Sequence, residues 1–189
     1  KAPIVMEKIV ELMGEEAFRT AIQEYLRTYA YGNATWDDLV AILDKHTDVD
    51  IKSFSHFWVY KPFMNDIFIY KHKGRWHIHN LDGKGHLQEF NCLYIYKDGH
   101  REEVAIPAGT TYYEVPRGVE MVLPNSDGRG YGHFLLDTEI IEWLTKNMTT
   151  IEDDLMRQSF IMVLNEEYEA NWLLDNSLHS RRWLDFILD

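Results

Sequence analysis

The chain has 189 residues, 46% of them hydrophobic and 14% aromatic, enough for a packed core and too apolar for global disorder. Its formal charge of −12 excludes general nucleic-acid binding, since Arg181 and Arg182 are the densest basic spot, and no apolar run approaches the roughly 20 residues of a membrane span. Cys92 is the lone cysteine, which excludes an internal disulfide and a multi-cysteine zinc site and suits a reducing compartment without fixing the localisation.

Helical periodicity governs residues 1–65. Pro3 stands in a first turn, and Val5, Ile9, Leu12 and Met13 form one apolar stripe. Gly14 closes that helix, and Glu15 and Glu16 open the next, which directs Phe18, Ile22, Tyr25, Leu26 and Tyr29 toward a core. Gly32 and Asn33 break it. Thr35 with Asp38 forms an Asp-bearing relative of the capping box, ahead of a helix burying Trp36, Leu39, Ile42 and Leu43. Asp50 caps a fourth helix that carries Ile51, Phe54 and Phe57.

Over residues 66–137 the apolar period drops to 2. Ile67 and Ile69 alternate, "KHKG" turns, and Trp76 and Ile78 share a face. Leu93 and Ile95 run into Asp98-Gly99, a strong hairpin signal, and Val104 and Ile106 return. "TTYYEV", "VEMVL" and "GHFLL" complete about seven short strands, the signature of a small antiparallel sandwich. Residues 138–189 are helical again: "TEIIEWLTKN" first, then a helix capped by Thr150 with Asp153 and carrying Leu155, Phe160 and Val163, then two amphipathic segments ending in "RRWLDFILD". Acid gathers here, twelve Asp+Glu against four Lys+Arg in 137–189. The expected class is multi-part α+β: a helical segment, a small antiparallel β-sandwich, then a helical segment.

The order of these pieces resembles the zinc aminopeptidases of the aminopeptidase N type, a gluzincin metallopeptidase family. The resemblance rests on Lys1-Ala2, on Met13-Gly14-Glu15 through Phe18, on Tyr31-Gly32-Asn33-Ala34 and on Asp38-Leu39. "FWVYKPFMNDIFI" is similar to the Trp-bearing exit from the family's catalytic domain, although Phe63 and Asn65 stand where it usually carries small or turn residues. "PNSDGRGYGHFLLD" is similar to the end of its small β domain, and "MRQSFIMVLNEEYEANWL" to the start of its C-terminal helical domain. The resemblance is strongest over 1–43 and weakest over 70–125. It implies three parts: C-terminal helices of a thermolysin-like catalytic domain (1–65), a β-sandwich domain (66–137) and the first helices of the C-terminal helical domain (138–189).

It also implies a fragment that starts just after the family's catalytic tyrosine, with HExxH, the third zinc ligand and the exopeptidase segment all upstream. Zinc is then expected in the full-length parent and not in this chain. Peptide substrates come through the parent, and the missing catalytic domain is the partner in the intact protein. The residues point the same way, because two histidines that share a zinc from one helix stand four apart. The nine histidines, at 46, 56, 72, 77, 79, 86, 100, 133 and 179, contain no such pair. No catalytic and no metal-binding residue is therefore assigned, and substrate-binding residues stay unknown. A self-standing, non-catalytic binding module is the alternative.

Other features carry two readings each. His77 and His79 alternate on one strand face and with His72 suit either a metal or a polar stripe. Cys92 reads as a buried thiol rather than a nucleophile. "LDGKGH" and "SDGRGYG" read as turns rather than phosphate loops. Glu166, Glu167 and Glu169 read as a solvated face rather than a lure for basic peptides, and Tyr25, Tyr29 and Tyr31 as packing. No Gly-x-Ser-x-Gly elbow is present. The first helix is apolar nearly all round and the last stripe lacks a neighbour, so self-association is expected through 1–30 or 178–188.

Overall fold

The computed structural model describes residues 2–61, 64–80, 88–107 and 109–174, with side chains of the last helix through Tyr168. The "LDGKGH" turn, Phe63 and everything expected after Leu174 lie outside the described residues. The fold is mixed α+β, with helices flanking two small sheets. It divides into two compact units, Lys1–Phe63 and Met64–Asp189.

The first unit holds α1 (Ala2–Met13), α2 (Glu15–Thr28), α3 (Trp36–Lys45) and α4 (Ile51–Ser55), the last running into a π-helical turn, His56–Tyr60. Gly14 ends α1, its N–H donating to the Val10 carbonyl at 2.8 Å. The buried residues of α1 are Val5 and Ile9, one turn apart, while Leu12 is 42% exposed. The expected core face of α2 is only half covered: Ala21 is its buried residue and Leu26 stands 62% exposed. Phe18, Ile22, Tyr25 and Tyr29 are each half-buried.

Thr35 and Asp38 form the expected capping box, with Asp38 N–H donating to Thr35 Oγ1 at 3.2 Å and Thr35 N–H to Asp38 Oδ2 at 2.9 Å. Asp50 Oδ1 accepts Ser53 N–H at 2.8 Å and starts α4. Beyond it the expected burial of Phe57 fails: Phe57 is 44% exposed and Trp58 is buried. The apolar line here runs Ile51, Ser55, Trp58, with Ser55 satisfied by Trp36 Nε1–H at 2.7 Å. These stand at i, i+4 and i+7, the spacing of one helical face, which Phe57 does not share.

The second unit contains β1 (Asn65–His72), β2 (Arg75–Asn80), β3 (Phe90–Tyr96), β4 (Arg101–Ile106), β5 (Tyr112–Glu114), β6 (Val119–Pro124) and β7 (Gly132–Leu136). After them come α5 (Thr138–Asn147), a 3₁₀ turn (Met148–Thr150) and α6 (Asp154–Leu174). One sheet is ordered β5-β2-β1-β7, the other β4-β3-β6. Lys73 and Gly74 both adopt positive φ (49° and 75°), the type I′ geometry that matches strand twist, and they close the β1–β2 hairpin in two residues. Asp98-Gly99 closes β3–β4 as its sequence signals.

One pairing departs from the antiparallel expectation. β7 lies parallel to β1, from Asn65↔Gly132 to Ile69↔Leu136. Neighbouring hairpins pair antiparallel by local turns, but β1 and β7 are joined by all the intervening strands and are free to run the same way.

A single core draws on both sheets, on α5 and on α6. Trp76 and Ile78 belong to it, and Trp76 Nε1–H donates to the Glu120 carbonyl at 2.8 Å, tying one sheet to the other. Along β3 the consecutive residues Cys92, Leu93, Tyr94 and Ile95 are all buried, so both faces of that strand are covered. Asp137 caps α5 through Glu139 N–H, and its other carboxylate oxygen accepts Lys71 N–H from β1.

The cap of α6 is Asp153, which accepts Met156 N–H at 2.8 Å. Thr150, expected to share that role, instead ends the 3₁₀ turn and receives the Arg101 guanidinium on its carbonyl and hydroxyl. With the helix starting later, Leu155 is 76% exposed, while Phe160, Val163 and Leu164 are buried.

Candidate functional site

In the helical unit, the first turns of α1 present Ala2, Val5 and Met6 toward Trp36 at the start of α3 and toward Trp58 and Val59 in the π turn. Together they line a pocket of about 250 Å³. Two consecutive residues, Trp58 and Val59, reach the same pocket, which the widened turn permits. Lys8 Nζ sits 5.7 Å from the centre of the Trp58 ring. No lining residue is titratable or nucleophilic, so the pocket can receive an apolar group and cannot perform chemistry. The sequence reading named Trp36 as core and took Trp58 only as part of the Trp-bearing exit, although Trp58 stands seven residues after Ile51, on its helical face.

Several acidic residues of this unit hold its helices in place. Glu24 Oε2 meets His46 Nε2 at 2.6 Å and Oε1 accepts from Lys45 at 3.4 Å; the hydrogen bond from His46 is the main cause that holds Glu24 below the usual carboxylate range. Asp38 is held low chiefly by the Thr35 N–H, then by the Thr35 and Tyr29 hydroxyls. Asp50 is lowered by the Ser53 hydroxyl and N–H. Tyr60 donates to Asp37 at 2.7 Å, which pushes the phenol up. Of the tyrosine group, Tyr25 and Tyr29 pack with ring centres 5.4 Å apart, whereas Tyr31 is fully exposed at φ 60°.

In the second unit, His72, His77 and His79 share one face of the first sheet, but they do not gather with one another or with a carboxylate into a metal-holding group. His77 pairs across from Tyr70 on β1, and His79 from Tyr112 on β5. The His77 ring is stacked with Tyr70 at 5.4 Å and with Tyr112 at 5.6 Å, and the edge of Tyr112 meets His79 at 6.0 Å. The Tyr112 hydroxyl lies 2.6 Å from His77 Nδ1 and takes up that nitrogen. Arg75 pairs with Glu114 beside them. On this face His77 is 8% exposed under the two tyrosine rings, whereas His72 is exposed and His79 half-buried. Tyr112 is the partner that sequence reasoning missed; "TTYYEV" marks a strand, but nothing local says it lies beside "RWHIH".

Cys92 is fully buried, and burial pushes its thiol far up, away from any nucleophilic role. Glu167 accepts Leu136 N–H at 3.3 Å and so joins α6 to β7 rather than facing water. Among the described residues no three His, Cys, Asp or Glu side chains gather as a metal-holding group, and no helix is long and apolar enough to cross a membrane.

Comparison with known proteins singles out the helical unit. The peptidase family M1 domain matches residues 1–58, the stretch that contains the capping box, the ion-paired carboxylates and most of the pocket wall. Aminopeptidase N of Streptomyces lividans is 34% identical over 59 residues, 31% of this chain and 7% of that protein. Aminopeptidase N of Lactobacillus helveticus is 34% identical over 62 residues, 33% of this chain and 7% of that protein. Aminopeptidase N of Lactobacillus delbrueckii subsp. lactis is 32% identical over 62 residues, again 7% of its length. The matched stretch therefore spans about 7% of each of these relatives. Over its first third, then, the chain is similar to the peptidase family M1 domain, and among named proteins to aminopeptidase N.

Proposed function

We propose that this chain is a non-catalytic part of a zinc-dependent aminopeptidase whose whole removes N-terminal residues from peptides. The match of residues 1–58 to the M1 peptidase domain carries the reading. The donor set of the described residues does not fit a zinc ion, and no two histidines of the sequence stand four apart. In the parent, hydrolysis would rest on water and a peptide carbonyl polarised by zinc. No residue here is assigned to that chemistry.

The role left to this chain is architectural. Capped, ion-paired helices make a firm support beside an active site, and the two-sheet unit with its own core makes a wall for the chamber that admits peptides. The test is the coding sequence ahead of Lys1. An HExxH helix there is the expected result; a reading frame without it overturns the proposal. The second reading, a self-standing binding module, draws on Met64–Asp189 forming a compact unit with its own core.

A further inference from the structure

We draw no further inference here: the strongest candidate, the apolar pocket between α1, the start of α3 and the π-helical turn of the helical unit, has nothing in the structure that shows what covers it.

Discussion

Replacing Gly130 by Ala should loosen the second unit, and the structure sets the size of the effect. A Cβ built at Gly130 would lie 2.8 Å from Asn125 Oδ1, 2.8 Å from Phe134 Cζ and 3.0 Å from Phe90 Cβ. Carbon atoms in comfortable contact sit about 3.5–4.0 Å apart, so all three must retreat. None has room. Asn125 is buried and clamped to Gly130 by two hydrogen bonds, Gly130 N–H to Oδ1 at 2.7 Å and Nδ2 to the Gly130 carbonyl at 3.3 Å. Phe90 and Phe134 are both 2% exposed and meet edge to face at 5.3 Å. Overpacking costs about 1–3 kcal/mol. Forcing the Asn125 amide off its buried partner adds about 1–3 kcal/mol.

A total of about 2–6 kcal/mol lowers amide protection roughly 30- to 20,000-fold at 1.4 kcal/mol per decade. Hydrogen exchange read on peptides covering β3, β6 and β7 measures this locally, with the helical unit as internal reference. Gly128→Ala is the control: its φ is +69°, but its Cβ would meet nothing nearer than Ser159 Oγ at 3.6 Å, so it pays only the left-handed backbone cost of about 1–2 kcal/mol. Protection in Gly130→Ala within threefold of the parent chain, or a larger loss in Gly128→Ala, would refute the packing argument.

Acid should weaken the helical unit first through its caps. Glu24, Asp38 and Asp50 all have folded values depressed below the roughly 3.9–4.3 of free carboxylates, so their stabilisation is present above about pH 4 and is lost as pH falls through the folded values. Circular-dichroism melts below pH 4 should show a falling Tm that flattens in Asp38→Asn/Asp50→Asn; an equally steep fall in that variant counts against the caps. The chain alone should hydrolyse no aminoacyl-anilide with added zinc, and chelator-sensitive turnover in a preparation free of host peptidases would contradict this. Finally, Leu26 and Phe57, 62% and 44% exposed, should drive self-association that strengthens with salt, because the repulsion of a −12 chain is screened beyond about 8 Å at physiological ionic strength. Sedimentation velocity should show it and Leu26→Glu should reduce it; a monomer at every salt concentration rules it out.

What the sequence made legible was what local physics decides. The Thr35–Asp38 box, the Asp50 cap, the Gly14 stop and both hairpin turns are each fixed by residues within four positions of one another. The two-residue period located the strands. What escaped was decided at long range or by irregular backbone. The 3₁₀ turn ahead of α6 passed the cap from Thr150 to Asp153. The partner of His77 stands 35 residues away on another strand, and no periodicity reports such a neighbour. The site was legible only in outline: histidine spacing spoke against a zinc helix, but the pocket needed α1, α3 and the π turn assembled to exist.

The parallel pairing of β1 with β7 has a consequence for how the chain is made. At a synthesis rate of about 5–20 residues per second, β7 emerges roughly 3–13 s after β1. Through that interval the strand that will centre the sheet has one side of its backbone unmated, open to any passing strand. Asp66, exposed on β1, and Lys71, which later meets Glu139, place opposite charges along this waiting edge and discourage wrong unions. When β7 does arrive it must slide in closely: a Cβ at Gly132 would strike the Asn65 carbonyl at 2.9 Å. A ribosome stalled before residue 132 would thus carry a half-finished sheet, and the second unit closes only once β7 has emerged.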